Sequence, residues 1–192
     1  MRKLGPRTGR IYRHFKTPDG KNVTLRALRW EDLNSCVSFV NDLVAERSIE
    51  PNLGVLVDTK KTREEEAEWL ADQLKGIENR NLISVVAEAG GRIIGNGSVT
   101  RGSFNDTKHH GYLGIAVARK HRNRGIGIQM MRSLVAESRK SGLKTIELEV
   151  FANNPRAIHV YERTSFKEAG RVPKKIERNG KFIDAIIMAA EL

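Results

Sequence analysis

Cysteine is almost absent from this sequence, and its single thiol, Cys36, excludes an internal disulfide and a cysteine-rich metal site. No run of apolar residues approaches the roughly 20 that a membrane-spanning helix needs. The N-terminus is basic, and no apolar segment typical of a signal peptide follows it. We therefore expect a cytoplasmic protein with no membrane anchor and no metal centre.

Acidic residues are also scarce: 23 stand against 34 lysines and arginines, and the formal net charge is +11. Such an excess favours anionic partners, for example phosphorylated cofactors, acidic peptides or nucleic acids. The 192 residues, 39% of them hydrophobic, are enough for one buried core and few for two. Glycine, proline and basic residues are frequent at the start, which predicts a basic N-terminal arm over 1–22 and one domain over 23–192.

The most informative stretch runs over 117–128, where an apolar strand ends, a basic turn follows and a helix opens on Gly125 and Gly127. In such a turn the backbone amides of Arg122 to Gly127 can point into one concavity, and the helix N-terminus adds partial positive charge. This pattern predicts a pyrophosphate-binding loop. Its spacing, Arg-x-x-Gly-x-Gly, is neither that of a dinucleotide-binding fold nor that of a P-loop.

Periodicity and turn residues predict the elements around this loop. Paired glycines at Gly90 and Gly91, and the Asn179-Gly180 dipeptide, are typical of tight hairpins. A capping-box pattern begins at Thr62, and Gly142 can end the helix that follows the loop. The predicted strands cover 23–27, 82–89, 92–100, 110–118 and 144–151, with two more within 171–190, and the predicted helices cover 30–43, 62–76, the residues after the loop and those after Asn154.

This order of elements resembles the GNAT superfamily of acetyl-CoA-dependent N-acetyltransferases. The loop matches the family's pyrophosphate loop, and Asn154, Ala157 and Tyr161 match a second motif, Asn-x-x-Ala-x-x-x-Tyr, after which Ser165 stands where glycine is usual. The resemblance implies an α/β (α+β) fold whose mixed, mostly antiparallel sheet of six to seven strands is splayed in the middle and flanked by about four helices. The residues over 23–192 would then form a single N-acetyltransferase domain.

The resemblance also implies acetyl-CoA as the acetyl donor and identifies residues that would hold it. The strand end would bind the pantetheine arm through its backbone, and the loop would bind the pyrophosphate. The implied cofactor-binding residues are Ile115, Ala116, Val117, Arg122, Asn123, Arg124, Gly125, Ile126, Gly127, Asn154, Ala157 and Tyr161.

Amide formation requires a base, because an ammonium with a pKa near ~10 is not a nucleophile. It also requires a donor for the departing thiolate and a group that polarises the thioester carbonyl, such as the backbone amide near Val117. Many relatives carry a glutamate on the strand before the loop, where this chain has Tyr112. Leu148-Glu149-Val150 instead resembles the pattern of the ribosomal-protein alanine N-acetyltransferases, which makes Glu149 the candidate base and Tyr161 the candidate acid.

Two alternatives to Glu149 as the base remain open at this stage. Glu149 can be an ordinary charge at the end of a strand, because Glu147 alternates onto the same face. His110, beside His109, is a weaker candidate base because the sequence shows no carboxylate partner for it.

The acceptor amine is predicted only as a class. A protein or peptide amine comes first, and a small amine such as an amino acid analogue or antibiotic comes second, with Glu46, Glu50 and Asp184 as candidate contacts. A third hypothesis is a non-catalytic module in which the basic arm, including Arg2 and Lys3, grips nucleic acid and the loop senses acetyl-CoA; nucleic acid is the less favoured partner. The oligomeric state stays open, with a homodimer as one alternative.

Overall fold

The computed structural model describes residues 7–192, which form one eight-stranded sheet with helices on both faces. Arg2 and Lys3 of the predicted arm lie outside the described residues. The strands are β1 (Ile11–Lys16), β2 (Asn22–Arg26), β3 (Leu82–Ala89), β4 (Arg92–Arg101), β5 (His110–Val117), β6 (Thr145–Phe151), β7 (Lys167–Arg178) and β8 (Lys181–Glu191), and the α-helices are α1 (Leu33–Glu46), α2 (Arg63–Glu78), α3 (Ile126–Lys140) and α4 (Pro155–Glu162).

The sheet has the strand order β1-β2-β3-β4-β5-β6-β8-β7, and β5 and β6 are its one parallel pair within the described residues. Their pairing runs from His110 opposite Thr145 to Leu113 opposite Leu148 and stops there. Beyond this point the two strands separate, which opens the sheet in the middle. The splayed, mostly antiparallel sheet with four helices confirms the predicted fold, although the number of strands is eight rather than six or seven.

The additional strand, β1, replaces part of the predicted arm. Ile11–Lys16 pairs with β2 at the edge of the sheet, and Thr17 closes the connecting turn by accepting a hydrogen bond from the Lys21 amide at 3.0 Å. Tyr12 and Phe15 pack against the core while their basic neighbours face solvent. Basic side chains are tolerated on an edge strand because they discourage pairing with other chains. The composition that suggested an arm is therefore equally compatible with this edge strand.

Local signals for turns and caps account for most element boundaries. Gly90 and Gly91 have φ values of 57° and 74°, and Asn179 and Gly180 have 54° and 71°, as two-residue hairpins of type I′ require. Thr62 accepts a hydrogen bond from the Glu65 amide while the Glu65 carboxylate accepts one from the Thr62 amide, which is the predicted capping box.

The hydrophobic core has two main clusters, one on each face of the sheet. On one face α1 and α2 bury residues such as Leu70 against Val86, and on the other face α3 buries Met130 and Leu134. Burying a side chain of this size contributes about 1.5–3 kcal/mol. The splay between β5 and β6 therefore lies in a sheet that is anchored on both sides. Within residues 7–192, no helix combines the length and apolar character needed to cross a bilayer.

Candidate active site

A cavity of about 680 Å³ occupies the splay between β5 and β6. Its walls come from the end of β5, the loop before α3, the first turn of α3, one face of α4 and the segment Leu53 to Val55. Of the predicted cofactor-binding residues, those lining this cavity are Ile115, Ala116, Val117, Arg122, Asn123, Gly125, Ile126, Gly127, Asn154, Ala157 and Tyr161.

The loop before α3 leaves a run of backbone amides without internal partners. Within the described residues, no amide from Asn123 to Ile128 donates a hydrogen bond to the protein, whereas the Arg122 amide donates to the Arg119 carbonyl at 3.3 Å. The run therefore begins one residue later than predicted. A helix N-terminus with unpaired amides is an anion-binding site, so this geometry fits a pyrophosphate.

The two glycines of the loop have different structural roles. Gly125 is the N-cap of α3 and has a φ of 77°, a left-handed conformation that disfavours other residues. Gly127 has an ordinary helical backbone, and a Cβ there would stand 4.0 Å from side-chain atoms of Val117 and Val160, both of which line the cavity. A side chain at Gly127 would thus enter the cavity.

Arg122 holds the loop in place through its guanidinium group. The Nε donates to the Val117 carbonyl at 2.8 Å, one terminal nitrogen donates to Glu46 at 2.8 Å, and the other donates to Glu50 at 2.8 Å. Glu50 also accepts a hydrogen bond from Arg156 at 3.1 Å. Burial alone would raise the pKa of Glu50, but Arg122 and Arg156 outweigh it and lower that pKa.

This network changes the interpretation of three predicted site residues. Glu46 and Glu50 were candidate contacts for an amine, but their carboxylates are engaged with Arg122. The nitrogens of the Arg122 guanidinium are themselves engaged in these contacts. This geometry supports a role for Arg122 in positioning the loop. Arg124 lies outside the cavity lining and pairs with Asp19 of the β1–β2 turn.

His121 is a cavity residue to which the sequence analysis assigned no role. Its Nδ1 is buried without a hydrogen-bond partner in the described residues. Burial and the charges of Lys21 and Arg124 lower its pKa. A buried nitrogen without a partner beside the free amides is consistent with a ligand in this cavity. In the sequence, the position of His121 inside the basic turn was the indication that it lies beside the loop.

The exposed edge of β5 supplies backbone groups to the same cavity. Ala118 donates its amide to Ile94 of β4 at 2.9 Å, so the alternation along the strand directs the amides of Ile115 and Val117 to the edge that faces the splay. The Arg122 contact to the Val117 carbonyl agrees with this orientation. These two amides can hold an extended chain or polarise a carbonyl oxygen.

The residues of the second motif lie on the opposite wall. The Asn154 side chain caps α4 by accepting a hydrogen bond from the Ala157 amide at 3.1 Å. Tyr161 lines the cavity, and burial raises its pKa to about 12. Its hydroxyl therefore stays protonated at neutral pH, as a hydrogen-bond or proton donor must. Ser165, after this helix, completes the turn with a φ of 73°.

Glu149 and His110 occupy different ends of the β5–β6 pair. Glu149 lies beyond the last paired residues and lines the cavity, and its Oε2 pairs with Lys175 of β7. His110 lies where the pairing begins, with Nδ1 2.7 Å from the Thr145 hydroxyl and Nε2 3.4 Å from Glu147. His110 therefore has a carboxylate partner, but it does not line the cavity.

A second cavity of about 500 Å³ lies on the α1 and α2 face of the sheet. Gly54, Val55 and the segment Gly114 to Ala116 line both cavities. Most of its wall is apolar. Asp184, the remaining predicted acceptor contact, does not line it and accepts a hydrogen bond from the Lys174 amide at 2.9 Å.

The first cavity therefore combines a helix N-terminus that has unpaired backbone amides with a wall that also lines a second cavity. Residues 46–166 match the model of the acetyltransferase (GNAT) family. The chain therefore belongs to the GNAT family of acyltransferases, whose acetyl donor is acetyl-CoA.

Three curated relatives illustrate the range of acceptors in this family. The L-amino acid N-acetyltransferase AaaT of Escherichia coli K12 is 33% identical over 55% of this chain, and the chain spans just under two thirds (65%) of that relative's length. The putative phosphinothricin acetyltransferase YwnH of Bacillus subtilis 168 is 25% identical over 88% of this chain and 99% of its own. The ribosomal protein bS18 alanine N-acetyltransferase of E. coli K12 is 37% identical over 39% of this chain and 51% of its own.

Solved structures share the fold. A GNAT acetyltransferase from Streptococcus pneumoniae has a TM-score of 0.78 at 24% identity, covering 88% of this chain and 99% of its own. A phosphinothricin acetyltransferase from Sinorhizobium meliloti, solved in complex with acetyl-CoA, has a TM-score of 0.76 at 19% identity, covering 88% of each chain.

Proposed function

We propose that this chain is an acetyl-CoA-dependent N-acetyltransferase whose acceptor is the primary amine of an amino-acid-sized molecule. The observation that carries the proposal is the run of free amides over 123–128 in a cavity that shares the wall Gly114 to Ala116 with a second, mostly apolar cavity. The size of the second cavity suits a small ligand. Two of the three relatives described above are named for amino acids or an amino acid analogue.

The amine at a protein N-terminus, which the sequence put first, is the second candidate. It is supported by Leu148-Glu149-Val150 and by the identity to the bS18 alanine N-acetyltransferase. Both candidates present an amine on a single amino acid unit, and a protein N-terminus would insert only its first residue. The nucleic-acid-binding module has less support, because Arg10 contacts Glu137 at 3.8 Å and Arg13 donates to Gln129 at 2.9 Å within the protein.

The proposed contacts to acetyl-CoA are made by residues that line the first cavity. The free amides from Asn123 to Gly127 would hold the pyrophosphate, and the edge of β5 would hold the pantetheine arm. Acetyl-CoA, when bound there, supplies an acetyl thioester. The Val117 amide, on the edge of β5 that faces the splay, would polarise the thioester carbonyl and stabilise negative charge on its oxygen.

The acceptor nitrogen would attack as a neutral amine. Glu149 takes its proton, directly or through water, a carbon–nitrogen bond forms and the carbon–sulfur bond breaks. Lys175 contacts Oε2 of Glu149, so Oε1 is the atom available to the acceptor. Tyr161 donates a proton to the departing thiolate. Its hydroxyl is protonated at working pH, and its pKa of about 12 makes it a weak acid that transfers the proton as negative charge develops on the sulfur.

The proposed domain also includes the edge strand. Besides its pairing with β2, the β1–β2 hairpin contacts α3 through Arg13 and the cofactor loop through Asp19. We therefore place the start of the single acetyltransferase domain before residue 23. We also propose that the protein is cytoplasmic.

The function is tested by measuring thiol release from acetyl-CoA with a panel of free amino acids and of short peptides, with products identified by mass spectrometry. Transfer to free amino acids supports the first candidate, and transfer to peptide N-termini alone supports the second. If acetyl-CoA binds by calorimetry but no amine is acetylated, the enzymatic proposal fails.

The base is tested by Glu149→Gln, with Glu147→Gln as the matched control on the same face of β6. The Glu149 variant should lose turnover near neutrality and recover part of it at alkaline pH, where more acceptor is already neutral. Wild-type turnover of Glu149→Gln across pH 6 to 9 would make Glu149 a bystander.

The acid is tested by Tyr161→Phe, which removes one hydroxyl with little change of volume. Acetyl-CoA affinity should persist while turnover falls by about 10²-fold, within the range of general acid catalysis. Because the pKa of Tyr161 is about 12, wild-type turnover should show no loss from its ionisation below pH 10. A variant with wild-type turnover would remove Tyr161 from the mechanism.

A further inference from the structure

The second cavity contains a buried carboxylate without a partner. Glu66, on the first turns of α2, is 6% exposed and lines this cavity, and neither of its oxygens accepts a hydrogen bond or pairs with a cation within residues 7–192. Burial raises the pKa of Glu66; Lys61 opposes this shift and Glu65 adds to it. Lys61 lines the same cavity but pairs with Glu65 at 3.4 Å, so Glu66 has no direct partner within the described residues.

The other carboxylates around the site are all engaged. Glu65, which also lines the second cavity, accepts hydrogen bonds from the Thr62 amide at 2.9 Å and from Lys61 at 3.4 Å. Glu149 pairs with Lys175. An uncompensated buried carboxylate costs free energy, and such groups concentrate where a ligand supplies the missing partner.

The position of Glu66 relative to the reaction centre limits what it can contact. On the proposed function, the reacting amine meets the thioester near Gly114 to Ala116, the segment that lines both cavities. The candidate base Glu149 lines the first cavity alone. Glu66 lines the second cavity alone. The wall of the second cavity includes the apolar side chains of Phe39, Leu43 and Trp69, which suit a methylene chain, besides polar residues such as Lys61 and Glu65.

We propose that Glu66 binds a second, positively charged group of the acceptor, at the far end of an aliphatic chain from the amine that is acetylated. This inference rests on the proposed function and names its substrate class: basic amino acids such as ornithine and lysine, or linear diamines. Either orientation of a basic amino acid places one cation near Gly114 to Ala116 and the other at Glu66. The net charge of +11 disfavours longer polycations, but one buried carboxylate compensates one additional charge.

Two pairs of amino acids that differ only by the distal amino group test this inference. Ornithine is compared with norvaline, and lysine with norleucine, through kcat/KM from thiol release. A hydrogen-bonded charge is worth about 1.5–3 kcal/mol, so the wild type should prefer the cationic member by roughly 10- to 100-fold. Glu66→Gln should remove most of this preference by lowering kcat/KM for ornithine and lysine, with norvaline and norleucine little affected. Glu64→Gln, an exposed change on the same helix, should keep it.

A second readout separates this inference from the proposed function. Binding of lysine and norleucine to the complex with coenzyme A is measured by calorimetry, which needs no turnover, and lysine should bind more tightly to the wild type but not to Glu66→Gln. An unchanged preference in Glu66→Gln, or an equal loss for all four amino acids, would overturn the role of Glu66. Selective binding without acetyl transfer would support Glu66 and count against the proposed function.

Discussion

At the scale of single residues, Ser165 shows that the fold accommodates one departure from a family motif. It occupies a left-handed backbone conformation, with a φ of 73°, where the motif usually has glycine. A residue with a Cβ destabilises the folded state by about 1–2 kcal/mol in this region. Glycine instead destabilises it by about 0.5–1 kcal/mol, because the unfolded chain is more flexible at glycine. The turn therefore forms, at a small cost in stability.

Ser165→Gly should consequently stabilise the protein by roughly 0.5–1 kcal/mol, the difference between these two effects. Chemical denaturation measures the change, and Ser165→Ala is the control because it keeps the Cβ and should give no comparable gain. A destabilised glycine variant would mean that the serine hydroxyl contributes a contact that outweighs the strain.

Glu66 makes a separate prediction about stability in the absence of ligand. Because its pKa is higher in the folded than in the unfolded chain, the folded state holds the proton more tightly. The ionised carboxylate thus destabilises the fold above the folded pKa, and this effect vanishes below the unfolded pKa of about 4.3. Glu66→Gln should therefore be more stable than the wild type at pH 8, and the gain should shrink towards pH 5.

The measurement for Glu66→Gln is the free energy of unfolding at several pH values, without acceptor. Glu64→Gln, on the exposed face of the same helix, is the reference for removing one negative charge from α2. A Glu66→Gln protein that is less stable than the wild type at pH 8, or whose gain increases as the pH falls, would show that the carboxylate has a stabilising partner.

At the scale of elements, the strand–loop–helix unit around α3 can be tested through its glycines. Gly127→Asp would place a carboxylate in the cavity, 4.0 Å from Val117 and Val160 at its Cβ, without any left-handed backbone to strain. Calorimetry should show acetyl-CoA affinity lowered by at least ~10²-fold, because a like charge fills the anion site.

The controls for Gly127→Asp separate charge from volume. Gly127→Ala should weaken acetyl-CoA binding less, and circular dichroism should show all variants folded. Gly125→Asp is a poorer test, because Gly125 has a φ of 77° and its loss would also disturb the start of α3. Unchanged affinity in folded Gly127→Asp would mean that the turn binds no pyrophosphate.

Elements with local signals could be predicted from the sequence, and those without them could not. The hairpins at Gly90-Gly91 and Asn179-Gly180 and the cap at Thr62 depend on neighbouring residues, and the structure confirms them. The strand β1 was missed because an edge strand with basic side chains lacks a clear apolar alternation. The free amides of the loop were predictable to within one residue, since they follow from a strand–glycine–helix pattern.

The side-chain network of the site was beyond local reasoning. Arg122 and Glu46 are 76 residues apart in sequence, and their ion pair depends on how α1 packs beside the end of β5. The absence of a partner for Glu66 likewise depends on the whole cavity. In both cases the sequence contains the charge, but only the tertiary structure determines whether that charge is compensated.

At the scale of the whole molecule, several basic side chains stabilise the fold itself. Arg26 pairs with Asp32 and Glu88, Arg122 holds the cofactor loop, and Arg178 anchors the segment Leu53 to Val55. These ion pairs cancel within the net charge of +11, so the excess is carried by other basic residues.

Arg178 connects three distant parts of the chain beside a segment that lines both cavities. From β7 it donates hydrogen bonds to the carbonyls of Leu53 and Val55, the latter at 2.9 Å, and its guanidinium lies 4.9 Å from the ring centroid of Phe151. Because Val55 lines both cavities, the position of this segment affects the shape of both.

Arg178→Met removes these hydrogen bonds while keeping a long apolar side chain, and it should raise KM for both acetyl-CoA and the acceptor. Each lost hydrogen bond from a charged group is worth about 1.5–3 kcal/mol, so the segment should also become more sensitive to limited proteolysis. Lys181→Met is the matched control, because Lys181 lies opposite Arg178 in the β7–β8 pair and is exposed. If Arg178→Met keeps both KM values and the protease resistance of the wild type, the segment is held by its other contacts, such as that of Arg47 with the Val55 carbonyl at 3.3 Å.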